Sequence, residues 1–136
     1  MPPPFLDTNV LLRHVLDDDP VQSPAAKALI ARIEQGEGEV WTTDLAIAEV
    51  VWVLSGRRYG FTRDAIRDVL LPLIGLPGIK LANKRVYSRA FALYTSLPID
   101  YVDAYHAALM EARSKHELLS YDADFDKVPG LIRREP

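Results

Sequence analysis

The sequence predicts an α/β fold with a parallel sheet covered by helices on both faces. Three observations carry this. Short apolar runs alternate with longer segments patterned at helical spacing, as βαβ units require. Caps or Pro and Gly punctuation separate most of the runs. No repeat or low-complexity linker divides the chain, and 136 residues with a mass of 15.3 kDa suit one domain spanning 1–136.

Phe5-Leu6 is the first apolar run, cut short because Pro2 to Pro4 cannot donate to a sheet ladder. Leu11, Leu12, Val15 and Leu16 then recur at helical spacing until Asp17-Asp18-Asp19-Pro20. Ser23-Pro24 reads as an N-cap followed by Pro at the first helical position, opening a helix that ends before Gly36. Val40-Trp41-Thr42 reads as a strand, and Thr43 or Asp44 caps a helix running to Ser55-Gly56. Thr62 caps a helix from Arg63 to about Leu71, which Pro72 should kink or end. Ile79-Lys80-Leu81 is a strand, and Asn83 caps a helix to about Thr95. Asp100 caps a helix to about Lys115, Glu117 to Ser120 is a strand, and Leu131-Ile132-Arg133 is a last short one.

Composition narrows the chemistry. Sixteen Lys and Arg against nineteen Asp and Glu give a formal charge of −3, with a pI near 5.6. A simple basic nucleic-acid binder would show a pI above ~9, and a polybasic membrane-surface protein is disfavoured on the same ground. Net charge ignores where the acids sit, so a nucleic-acid partner stays open. With no cysteine, zinc–thiolate, Fe–S, disulfide and thiol-nucleophile chemistry are excluded. The opening Met1-Pro2-Pro3-Pro4 does not resemble a secretory signal, and Leu70 to Ile79, interrupted by Pro72 and Pro77, is too short to cross a bilayer. A cytoplasmic protein with no membrane partner is the expectation.

In an open parallel sheet, chemistry gathers outside the carboxyl ends of the strands. Asp7 directly follows Phe5-Leu6, and Asp122 lies just past Leu118-Leu119-Ser120. Each alone could be a turn or cap residue. Glu49 is the only charge in Leu45 to Leu54; a helix apolar on nearly all faces is buried, and a buried carboxylate needs a cation or an Arg unless that one position is exposed. Asp103 falls three residues after the cap Asp100, where it could simply support the capping arrangement. Should these carboxylates converge, their repulsion would call for a divalent cation. All-oxygen donors select Mg2+ or Mn2+, and such sites serve phosphoryl transfer.

The motifs Phe5-Leu6-Asp7-Thr8-Asn9-Val10-Leu11, Ala48-Glu49-Val50, Asp103-Ala104 and Ser120-Tyr121-Asp122-Ala123-Asp124-Phe125-Asp126 follow in this order along nearly the whole chain. In them the chain resembles a PIN domain, and more closely a VapC-type toxin ribonuclease of a type II toxin–antitoxin pair. The resemblance implies a three-layer α/β/α sandwich around a short, mostly parallel sheet of about five strands. It implies that Asp7, Glu49, Asp103 and Asp122 bind Mg2+ or Mn2+ and carry endonucleolytic hydrolysis of RNA, with Asp124 and Asp126 ranked behind Asp122 as further ligands. Thr8 and Asn9 would orient Asp7, and Ser120 would do the same for Asp122. A cognate antitoxin protein and a homodimer are the implied partners. The opening departs from the family, which normally places a longer apolar strand before the first Asp.

For gripping RNA the candidates are Arg13 with His14, Lys84-Arg85, Arg113, and above all Arg57-Arg58-Tyr59, where cations adjoin an aromatic that could stack on a base. Trp41 and Trp52 read as core, and His14 and His106 as packing or surface residues. Two other readings stand beside the nuclease. A Mg-dependent phosphatase would want a second Asp two positions after the first, where this chain has Asn9. A non-catalytic PIN-like interaction module would keep the acids without using them.

Overall fold

The computed structural model describes residues 2–136; Met1, which opens the Pro-rich start, lies outside them. Six α-helices and short parallel strands make up an α/β fold among these residues, in two compact units that meet between Ala82 and Asn83. No helix among the described residues is long and apolar enough to cross a membrane.

In the first unit, β1 (Val40–Trp41) pairs in parallel with β2 (Ile79–Lys80), Val40 opposite Ile79 and Trp41 opposite Lys80. On the other side of β1, Phe5 forms an isolated parallel bridge to Trp41. The Trp41 amide donates to the Pro4 carbonyl (3.0 Å) and the Leu6 amide to the Trp41 carbonyl (2.7 Å), so the prolines limit this pairing to a single bridge. Thr42 prolongs the contact, its buried hydroxyl donating to the Leu6 carbonyl at 2.9 Å. Leu6, Val40 and Ile79 turn into the core, whereas Trp41 stays 44 % exposed against Phe5. Trp41 is therefore a rim residue and not the core residue its size suggested. At Gly78 the backbone runs so close to Ile33 and the Gly38 carbonyl that an added Cβ would lie 2.7 and 2.8 Å from them. Only glycine fits there.

The first unit also holds four helices: α1 (Thr8–Leu16), α2 (Gln22–Glu34), α3 (Asp44–Ser55) and α4 (Arg63–Ile74). Helix α1 packs on α2 and α3, and α3 on α4. Thr43 and Thr62 cap α3 and α4 as the sequence indicates, accepting from the Ala46 and Ala65 amides. Two boundaries differ from expectation. Helix α2 begins at Gln22, because Asp19 Oδ1 accepts from the Val21 and Gln22 amides while Ser23, inside the helix, accepts from the Asp19 amide. Helix α4 runs through Pro72 to Ile74. Proline costs an interior helix one hydrogen bond, but this ring is exposed near the last turn while Leu70, Leu73 and Ile74 stay buried and hold the end in place.

The second unit opens with a 3-10 turn, Lys84–Val86, followed by α5 (Tyr87–Ser96) and α6 (Tyr101–Ala112). Asn83 is not a side-chain cap. Its backbone is left-handed (φ 57°), and its amide donates to the Tyr105 hydroxyl at 3.5 Å. Helices α5 and α6 pack through aromatic rings: Tyr87, Phe91, Tyr94, Tyr101 and Tyr105 lie with centroids 5.4–6.5 Å apart. Helix α6 stops at Ala112, short of Lys115, and Ser114 turns the chain at φ 55°. Then β3 (Glu117–Leu119) pairs in parallel with β4 (Ile132–Arg134), the connection passing through a 3-10 turn, Ala123–Lys127.

The fold class agrees with the expectation, and the strand count is smaller. Among the described residues there are four strands of two or three residues, and the fifth extended segment is only the Phe5 bridge.

Candidate active site

Helix starts and strand ends place the acids. In the first unit, Asp7 precedes the first turn of α1 with extended backbone (φ −80°, ψ 156°), yet its side chain makes no capping bond. The carboxylate is exposed and has no hydrogen-bonding or ionic partner among the described residues. It is a negative group held at the positive end of a helix.

Glu49 lies in the middle of α3 and is not the buried carboxylate that the apolar run suggested. The residue is exposed, on a face with Leu45 (82 % exposed) and Trp52 (77 %), which follow one another at i, i+4 and i+7. The buried face of α3 is Ala46, Ile47, Val50, Val51 and Leu54. Apolar composition around Glu49 therefore did not mean burial, and Trp52 is a surface residue and not core. No Arg or Lys among the described residues pairs with Glu49.

Thr8 does not hydrogen-bond Asp7. Buried, it donates a long bond (3.5 Å) to the Ala46 carbonyl and so ties the first turn of α1 to the first turn of α3, three residues before Glu49. Asn9 is exposed and lines a groove of about 370 Å3 with Val10, Arg13, Gln22 and Leu29. Arg13 is engaged by Asp18 at 2.9 Å.

The second unit gathers more acids. Asp100 stands at the cap position of α6 without a side-chain capping bond, and Asp103 lies half-buried in the first turn. Burial pushes the Asp103 carboxyl above the usual carboxylate range; Asp122, Asp100 and Asp124 push it further, and only His106 opposes them. Asp122 ends β3's exit. Its amide donates to Ser120 Oγ (2.9 Å) and its carboxylate accepts from the Asp124 amide (2.9 Å). Ser120 thus fixes the backbone of Asp122, whose second carboxylate oxygen has no hydrogen-bond partner among the described residues.

Asp124 and Asp126 are engaged by cations whose part the sequence reading missed. Lys127 bonds Asp124 at 2.7 Å and reaches the Pro98 carbonyl at 3.5 Å. Arg133 clamps both oxygens of Asp126 at 3.0 Å, donates to the Ser120 carbonyl (3.1 Å) and holds the Asp126 carboxyl below its ordinary range. The i, i+3 spacing of Asp124 and Lys127 was a legible signal for the first pair; nothing local pointed to the second.

Among the described residues, no three His, Asp or Glu side chains are already grouped so as to hold a metal ion. The donor chemistry nonetheless fits one. In the second unit, Asp103 and its neighbouring carboxylates carry mutual repulsion that a hard divalent cation would relieve, and every donor is oxygen.

The PIN domain profile matches residues 5–131, nearly the whole chain. The chain belongs to the PIN domain family, generally a metal-dependent nuclease fold whose nucleases typically use divalent metals such as Mg2+. A search of curated protein sequences finds no match.

Proposed function

We propose that this chain acts as one PIN nuclease domain, a Mg2+- or Mn2+-dependent endoribonuclease that serves as the toxin of a type II toxin–antitoxin pair. In this reading Asp7, Glu49, Asp103 and Asp122 are the residues that would hold the cation. The observation that carries the reading is the carboxylate group of the second unit, where half-buried Asp103 is pushed up by burial and by Asp122, Asp100 and Asp124, of which only Asp124 has a protein cation, inside a family of nucleases.

The bound cation would neutralise the carboxylates, polarise the scissile phosphate and activate a water. The chain's own groups supply the setting. Asp7 and Glu49 offer carboxylates that no protein cation occupies. Ser120 and the Asp124 amide fix Asp122 from both sides. Lys127 and Arg133 take up Asp124 and Asp126, which supports ranking these two behind Asp122 as ligands. A small antitoxin would bind this protein in the cell, and a homodimer is the proposed assembly.

Purified protein incubated with total RNA tests this. Cleavage with Mg2+ or Mn2+, loss in EDTA, and loss in Asp103→Asn are expected. Undiminished cleavage in EDTA would refute the metal assignment; phosphate release from small esters without RNA scission would favour a phosphatase. Growth arrest on expression, relieved by a protein encoded beside it, would support the toxin role.

A further inference from the structure

The exposed face of α3 continues into a small basic and aromatic surface. Helix α3 ends at Ser55, and the next residues make a tight turn in which the Gly60 amide donates to the Gly56 carbonyl (2.7 Å). Gly60 is left-handed (φ 59°), a conformation that favours glycine, and the Phe61 amide then pins the turn to the Leu54 carbonyl at 2.9 Å. Arg57, Arg58 and Tyr59 are therefore presented on a loop stapled at both ends. With Trp52, Val53 and Ser55 they line an open groove of about 500 Å3. The Arg58 guanidinium sits 5.2 Å from the centre of the Tyr59 ring.

Two features say what this surface is for. Trp52 is 77 % exposed, so its indole gains nothing from the protein core. Arg57 and Arg58 make no ion pair among the described residues, unlike Arg13, Arg67 and Arg133. Two uncompensated guanidiniums beside two aromatic rings match an anionic polymer with accessible flat faces. A duplex hides those faces by stacking, whereas a single strand displays them.

We propose that Trp52 and Tyr59 stack unpaired bases of single-stranded RNA while Arg57 and Arg58 hold the flanking phosphates. This deepens, and rests on, the reading of the chain as a ribonuclease. Glu49 stands one turn before Trp52 on the same helix face, so the subsite lies beside one of the proposed metal ligands.

Binding measured without metal separates this from catalysis. The full chain in EDTA is titrated with labelled single-stranded oligoadenylate of about twelve nucleotides and with a paired RNA of equal length. Single-strand binding that quenches tryptophan fluorescence is expected, with the quenching lost in Trp52→Phe. Trp52→Ala should weaken binding roughly tenfold or more, the scale of one lost base–aromatic stack. Arg57→Ala with Arg58→Ala should lower the slope of log affinity against log salt by about 1.4. Equal affinity for the duplex, or unchanged affinity in both variants, would overturn the proposal, and the surface would then belong to a protein partner. Binding intact in a chain that never cleaves would refute the nuclease reading and leave the subsite standing.

Discussion

Replacing Asp103 by Asn should make the metal-free protein more stable while removing its response to metal. The sign follows from the surroundings of Asp103. Burial and three nearby carboxylates raise its proton affinity in the folded chain, so the ionised form is held less comfortably folded than unfolded. For a raised carboxyl, the folded state binds the extra proton; stability is greatest below the unfolded value and is lost as pH rises through the folded one. The loss grows as pH rises, and a neutral amide of the same shape removes it. A competing effect must be weighed. A carboxylate in the first turn of α6 interacts favourably with the helix N-terminus, by about 0.3–1 kcal/mol. The upward direction of the shift says that burial and repulsion win. Because Asp103 is only half-buried, screening holds the net gain to about 0.2–1 kcal/mol. For a chain of this length that is a rise in Tm of about 1–4 °C. Added Mg2+ at ten times its Kd should stabilise the native protein by about 1.4 kcal/mol, and the variant by much less. Thermal unfolding of both proteins, in EDTA and in Mg2+, reads all four values. A lower Tm for the variant in EDTA, or an equal gain from Mg2+ in both, would refute the reasoning.

Gly78→Ala should lose about 1–3 kcal/mol in chemical denaturation, since the new methyl meets the Gly38 backbone and Ile33; an unchanged midpoint would mean that the loop gives way. Leu54→Ala, at a fully buried position, should cost about 2–5 kcal/mol, whereas Trp52→Ala on the opposite face of α3 should shift the midpoint little, and the reverse order would contradict the assigned faces. Asp7→Asn and Glu49→Gln should keep the native circular dichroism spectrum and an unfolding free energy within about 0.5 kcal/mol while abolishing metal-dependent RNA cleavage, which gel analysis of total RNA would show. His14, whose proton affinity is lowered first by burial and then by Lys27, should contribute stability that is present above the ordinary histidine range and lost as pH falls through it; His14→Gln should flatten that part of the Tm–pH curve.

The elements were legible wherever one local cause decided them. Thr43 and Thr62 cap their helices through bonds three residues away, and the short apolar runs stand where the parallel pairs form. Where two local causes compete, the sequence alone does not choose. Ser23-Pro24 offered a cap, but Asp19 accepts from the Val21 and Gln22 amides and starts the helix earlier. Pro72 forbids one hydrogen bond, and the burial of Leu73 and Ile74 outweighs it.

Glu49 shows the same limit at the site, and from it follows what composition can say about an acid. The inference from an apolar helix to a buried carboxylate assumes that apolar residues are inside, a rule that runs only one way, since more than half of a folded surface is apolar. In α3, Leu45 and Trp52 are outside, and Glu49 lies between them in solvent. The case for its function thus no longer rests on the cost of burying a charge. It rests on the absence of any protein cation for it, the state it shares with Asp7, while Asp124 and Asp126 each have one. In a chain with more acids than bases some acids must lack a base, as Glu37 also does, so an unpaired carboxylate points to an external cation only where the order of the family motifs places it too.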